Sequence, residues 1–148
     1  MQKIIDGIVA AIRTEYDKSF RIYTESVTQG LKEPCFSILL LNGLNEKGAC
    51  ARHNRTNSFI IRYFPSSEEE PAKECSDVME NLYDILSVID TVDGKIRGMD
   101  MNGSIVDGVL QFQITYALSL LETKENETNM EKIKVVTIGK DWLYGYKQ

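Results

Sequence analysis

Leu110-Gln111-Phe112-Gln113-Ile114-Thr115-Tyr116-Ala117-Leu118-Ser119-Leu120 is the stretch on which the fold turns. Leu110, Phe112, Ile114, Tyr116, Leu118 and Leu120 take every second position, with Gln111, Gln113, Thr115, Ala117 and Ser119 between them. Successive side chains of a strand point to opposite faces, so this pattern is a strand with one face on a core. That face needs a cover, and two helical stripes elsewhere in the chain provide one. In residues 3–17, Ile4, Ile5, Ile8, Ile12 and Tyr16 recur at three- to four-residue spacing, weakened slightly by Gly7. In the second, Cys75, Val78, Met79, Leu82, Leu86 and Ile89 face inward while Asp77, Glu80, Asn81 and Asp84 face out. Ser67 and Glu70 have capping-box spacing before it, and Pro71 suits a first turn.

Working outward, residues 95–101 read as the hairpin partner of the long strand, joined across Asn102-Gly103. Residues 58–64 are a strand with Phe59, Ile61 and Tyr63 on one face, and 49–55 a more polar one. The apolar run 35–41 suits a strand covered on both faces, followed by loops at Asn42-Gly43 and 45–48. Residues 21–27 read as a further strand. The order is helix, strands, helix, hairpin. It specifies an α+β domain: a mostly antiparallel sheet of four to five strands, two helices packed on one face, and a C-terminal extension. The domain is expected at 1–121. Residues 122–131 are polar and lack apolar periodicity, 133–138 read as a short strand, and 122–148 together form a linker and arm. Ile133, Val135, Ile138, Trp142, Tyr144 and Tyr146 are the arm's contact candidates. Two readings stay open: the arm folds back on its own domain, or it docks on a neighbouring copy as an added strand.

The chain has 148 residues, 43% hydrophobic and 26% charged with three prolines, which excludes disordered and fibrous classes. Its apolar runs are too short to span a bilayer, and Asp6 and Arg13 interrupt the N-terminal one, so a soluble protein made in the cytoplasm is expected. The net charge of −5 is unevenly placed. Residues 1–64 carry 9 basic and 6 acidic side chains (+3), residues 65–94 carry 1 and 9 (−8), and residues 95–148 carry 7 of each (0). This balance disfavours sequence-independent binding to duplex DNA. The acidic segment reads as the solvated face and favourable N-terminus of the second helix, or as a surface for a basic partner.

Cys35, Cys50 and Cys75 are widely spaced and read as reduced, partly buried thiols. A zinc site with His53 is the alternative, and only Cys50 and His53 have close ligand spacing. No phosphate-cradling glycine loop, HExxH or G-x-S-x-G occurs. His53 stands between Arg52 and Arg55 with no carboxylate next to it in sequence to orient it, which suits it to a surface or interface rather than to general-base work. Glu68, Glu69 and Glu70 fan out from adjacent positions and do not converge on a substrate. No catalytic site, metal or cofactor is expected.

Three stretches carry a family resemblance: Gln29-Gly30-Leu31-Lys32-Glu33-Pro34-Cys35-Phe36, Arg62-Tyr63-Phe64-Pro65-Ser66 and Ile105-Val106-Asp107-Gly108-Val109-Leu110-Gln111-Phe112. In this order, and with the same helix–strands–helix–hairpin sequence over about residues 1–121, the chain resembles the tail terminators of phages and phage-like elements of Gram-positive bacteria. The resemblance implies a virion structural protein at the head-proximal end of the tail, made in the host bacterial cytoplasm. It implies a homo-oligomer, a hexameric ring, that caps the tail tube and stops its polymerisation. The implied partners are the tail tube protein, the head–tail connector or neck protein, and the sheath protein if the tail is contractile, which the resemblance favours. DNA would pass the ring without specific binding; six copies would carry −30, six times −5.

A cyclic ring joins two different patches of each subunit. Arg52, His53, Arg55 and Arg62 are the candidates for one patch and Glu68, Glu69 and Glu70 for the other. A head–tail joining or neck protein, and an intracellular binding module with no virion role, are the competing readings. An enzyme is a further one, and a pocket with convergent titratable groups would support it.

Overall fold

The computed structural model describes residues 2–25, 30–49, 52–124 and 131–136. In chain order the elements are α1 (Gln2–Glu15), β1 (Arg21–Tyr23), β2 (Cys35–Lys47), β3 (Arg52–Phe64), α2 (Pro71–Ile85), β4 (Val88–Thr91), β5 (Gly94–Val106), β6 (Val109–Lys124) and β7 (Glu131–Val136). The alternating stretch lies in β6, and β6 is the spine of the sheet. Its one edge pairs antiparallel with β3 from Leu110↔Tyr63 to Leu121↔Arg52. Its other edge is shared: β5 pairs with it from Val109 to Tyr116, and β7 from Ser119 to Lys124. The strand order is β1-β2-β3-β6-β5-β4 with β7 beside β6, and only β1 is parallel to its neighbour.

The alternation of β6 separates two faces. Leu110, Phe112, Ile114 and Tyr116 join Phe59, Ile61 and Tyr63 of β3 and Phe36 and Ile38 of β2 in one buried cluster. Both helices close it, α1 through Ile4, Ile8 and Ile12 and α2 through Cys75, Val78 and Leu82. The sheet's opposite face carries mainly small or polar side chains, among them Ser37, Ser58, Arg62, Gln111, Thr115 and Ser119. Helix α1 runs from the β4 side, where Lys3 pairs with Asp93 at 2.9 Å, to the β2 side, where Tyr16 meets Phe36 at a ring distance of 5.1 Å. Gly7 allows this crossing: a Cβ there would lie 2.9 Å from the Asp90 carbonyl oxygen.

The α+β architecture, the mostly antiparallel sheet and the single helix-covered face are as the sequence specifies. Several details differ. Among the described residues the sheet has six strands, β1 to β6, rather than four or five, and β7 of the extension pairs with it as a seventh. The segments 49–55 and 58–64 are not separate strands, since the β3 ladder runs unbroken from Arg52. The expected loops at Asn42-Gly43 and 45–48 are strand up to Lys47, because β2 pairs with β3 as far as Lys47↔His53 and shifts register between Leu40 and Asn42; Gly48 lies beyond the strand. The hairpin turn falls at Asp107-Gly108, not Asn102-Gly103. Asp107 (φ 52°) and Gly108 (φ 77°) are both left-handed, as a two-residue type I′ turn requires, and Val106 pairs with Val109. Asn102 and Gly103 stay in β5 beyond an irregularity at Asp100. Ile89, read onto the second helix, belongs to β4, since the helix stops at Ile85. Glu122, Thr123 and Lys124 continue β6 despite their polarity, held by the backbone ladder to β7.

Candidate subunit and tail interface

Strands β2, β3 and β6 run on past the helices as an arm. On the helix side Phe59 is fully buried, but two and four positions further out Asn57 is the last buried residue and Arg55 is exposed. Seven strand positions, 41–47, extend beyond the core on β2, about 23 Å at ~3.3 Å each. Leu40, Leu41 and Leu44 are there 40–50% exposed. The run 35–41, read from sequence as covered on both faces, is thus covered only in its first half. Beyond Ser37, no described strand pairs with the outer edge of β2. A long edge with exposed leucines is an unfinished surface in a monomer. Sequence reading missed it, although Asn42, Gly43 and Asn45 after the run mark where the cover ends.

The alternation of β3 distributes the four basic candidates. Arg52 and Arg62 point from the helix-free face, ten positions or about 33 Å apart. His53 and Arg55 lie on the helix-side face of the arm. Arg55 Nε donates to Asn45 Oδ1 at 3.0 Å, and Asn45 Nδ2 lies 3.5 Å from His53 Nδ1, a small polar clamp across β2 and β3. Arg62 sits partly buried near the base, with Ser37 and Gln111 opposite it on the flanking strands. Its Nε is buried and has no hydrogen-bond acceptor.

Glu68, Glu69 and Glu70 lie exposed on the link from β3 to α2, at the opposite end of β3 from Arg52. The expected capping box is half made: the Glu70 N–H donates to Ser67 Oγ at 3.1 Å, but no side chain caps the helix. Glu74 does the anchoring instead. Its carboxylate accepts the Tyr63 hydroxyl at 2.5 Å and the Ser66 and Ser67 N–H groups at 2.9 and 3.1 Å. Burial alone would raise its pKa, but these bonds outweigh it and hold the carboxyl below its usual range. Burial pushes the Cys35 thiol up to about 11. Cys35 and Cys75 are both buried, and they lie on opposite faces of the sheet, which does not suit a shared metal. Cys50 lies outside the described residues.

Ile133 and Val135 belong to β7, which lies along β6 of its own chain. Ile138, Trp142, Tyr144 and Tyr146 lie outside the described residues. A shallow cavity of about 230 Å³ between α1 and β4 is lined by Gly7, Ala10, Ala11, Thr14 and Asp90, among others. Asp90 alone ionises there, and it faces Lys95 at 3.7 Å, so no acid–base pair converges on that space.

No helix among the described residues is long and apolar enough to cross a membrane. No curated protein matches the chain. A family model described as phage tail terminator protein matches residues 3–130, which includes the helix-covered core, the arm and all of β6. That family is a structural one of the phage tail, whose members act through other tail proteins. With a match over most of its length, the chain belongs to the phage tail terminator family.

Proposed function

We propose that this protein forms a ring, a hexamer, that seats on the last ring of the tail tube, stops its polymerisation and joins it to the head–tail connector. In a contractile tail, the type we favour, it also engages the last sheath ring. It works by position, without catalysis, metal or cofactor, at the head-proximal end of the tail of a particle assembled in the bacterial cytoplasm. DNA passes the acidic ring without specific binding, because like charge repels phosphate.

The observation that carries this reading is the arm. An exposed, leucine-bearing strand edge projecting about 23 Å past the core pairs with no described strand and suits docking on protein. Charge placement agrees with it. Arg52 and Glu68 stand at opposite ends of a 13-residue strand, about 40 Å, too far to pair in one chain and suitably placed for head-to-tail contact. The ring-building unit is residues 1–121. The C-terminal extension, residues 122–148, adds contacts to a neighbouring copy or a tail partner, chiefly through Ile138, Trp142, Tyr144 and Tyr146 beyond β7.

The test is to label this chain and image whole particles. The label is expected at the junction of tail and head; a label at any other position overturns the terminator role. Light scattering on the isolated protein then reads the ring, expected near 101 kDa, six times the chain's 16.8 kDa.

A further inference from the structure

Among the described residues, no carboxylate pairs with Arg62. It stands mid-sheet on the helix-free face, flanked on β2 and β6 by the neutral Ser37 and Gln111. Its Nε is shut away from solvent with no acceptor. An arginine is always charged, and leaving a buried charged donor unpaired is costly enough to be rare without a purpose. A few residues on, the opposite imbalance appears. Glu68, Glu69 and Glu70 are exposed, and none forms an ion pair among the described residues.

These groups are close in sequence yet cannot serve each other. After Phe64 the chain turns through Pro65, Ser66 and Ser67 toward the helix layer, and Glu74 fixes that turn by holding the Ser66 and Ser67 N–H groups. The three glutamates therefore lie on the helix side, while Arg62 points from the other face. Among the described residues, one subunit thus shows a cation without an ion pair on one side and carboxylates without one on the other, the arrangement that a repeating head-to-tail contact closes.

We infer that Arg62 receives a carboxylate of Glu68, Glu69 or Glu70 from a second copy of this chain, the helix side of one copy packing on the helix-free sheet face of the next. The inference rests on the ring reading above only in needing copies to meet head to tail. The incoming carboxylate takes the outer N–H groups of the guanidinium, and a rotamer change that turns Nε outward completes a two-bond fork. Arg62 then defines the register of the contact.

The experiment measures self-association of the full-length protein by light scattering over a range of protein and salt concentrations, with melting curves to confirm folding. Arg62→Glu is expected to stay folded and to need at least about tenfold more protein to associate. Combining it with Glu68→Lys, Glu69→Lys and Glu70→Lys is expected to restore association. Arg62→Met, which keeps the side chain's length and removes its charge, is expected to weaken association less and to flatten its salt dependence; it serves also if Arg62→Glu does not fold. Association of Arg62→Glu or Arg62→Met indistinguishable from the native protein overturns the pairing, as does a charge swap that restores nothing. A native chain that stays monomeric under every condition also overturns it. None of these results touches the terminator role, which the position of the label in whole particles decides.

Discussion

The lower and upper halves of β2, β3 and β6 are built from the same strands and serve different ends. In the lower half every second side chain, Phe36, Ile38, Phe59, Ile61, Phe112 and Ile114 among them, is sealed beneath two helices. In the upper half the ladders continue, with one irregularity in β2 after Leu40, to Lys47, Arg52 and Leu121, but no described helix lies over them. Backbone pairing thus sets how long the strands are, and the helices set where the core stops. A few paired strands without a covered face are marginal alone in water, so the arm takes its rigidity from the half beneath it. The lower half holds the fold, and the upper half presents it.

The sharpest way to break this contrast is to truncate one large side chain in each half. Phe112 is fully buried and meets Tyr83 edge-on at 5.1 Å. Phe112→Ala should cost about 3–5 kcal/mol, the transfer energy plus the cavity left behind. Leu44 is half exposed on the arm, and Leu44→Ser should change stability by no more than about 0.5 kcal/mol. Urea unfolding of both variants measures the difference. If Leu44→Ser approached the cost of Phe112→Ala, the arm would have a core of its own and the division of roles would fail.

That division also explains which features were legible in the sequence. The core half was, because burial on one face writes a period: Leu110 to Tyr116 alternate, and Ile4, Ile8 and Ile12 mark a helix. The arm half was not. Its strands are held by backbone hydrogen bonds, which leave no side-chain signature, so Asn42, Gly43 and Asn45 read as loop and Glu122 to Lys124 as linker. Strand β4 escaped for another reason: Ile89 continued the helical spacing, and only Leu86 and Ser87 leaving the helix show that the period had ended. At the candidate interface the residue types were readable, and their grouping was not. A one-residue step in a strand changes faces, which separates His53 and Arg55 from Arg52 and Arg62.

A smaller effect is expected where the helix layer meets the sheet edge. Alanine normally favours a helix over glycine by about 1 kcal/mol. At Gly7 the added Cβ would press to 2.9 Å on the Asp90 carbonyl and 3.2 Å on Ile89 Cδ1. A backbone oxygen gives way poorly, and overpacking costs about 1–3 kcal/mol, so Gly7→Ala should destabilise by up to about 2 kcal/mol net. A thermal melt checks the sign. A variant that melts higher would mean α1 can lift from β4 without loss, and that the cover over the lower half is looser than its buried isoleucines indicate.

An effect of similar size belongs to Glu74, the acid that fastens the covered half. Glu74→Gln keeps the shape but weakens three bonds, from the Tyr63 hydroxyl and the Ser66 and Ser67 N–H groups, and should cost about 1–2 kcal/mol at neutral pH. Its pH dependence identifies the cause. The folded-state pKa is depressed from the ordinary 4.5, so the unfolded chain takes up the proton first as pH falls. The stabilisation is therefore complete above about pH 4.5 and is lost as pH drops through the lower folded value. Native protein and Glu74→Gln should converge in acid, which urea unfolding in steps from pH 7 to about pH 3 resolves. The corresponding clamp of the arm, Arg55 on Asn45, contains no carboxylate, so substituting Arg55 should give a gap that does not close in this way. A Glu74 gap that stays constant into acid would mean that shape, not charge, holds the link between β3 and α2. The covered and uncovered halves would then be fastened by the same kind of contact.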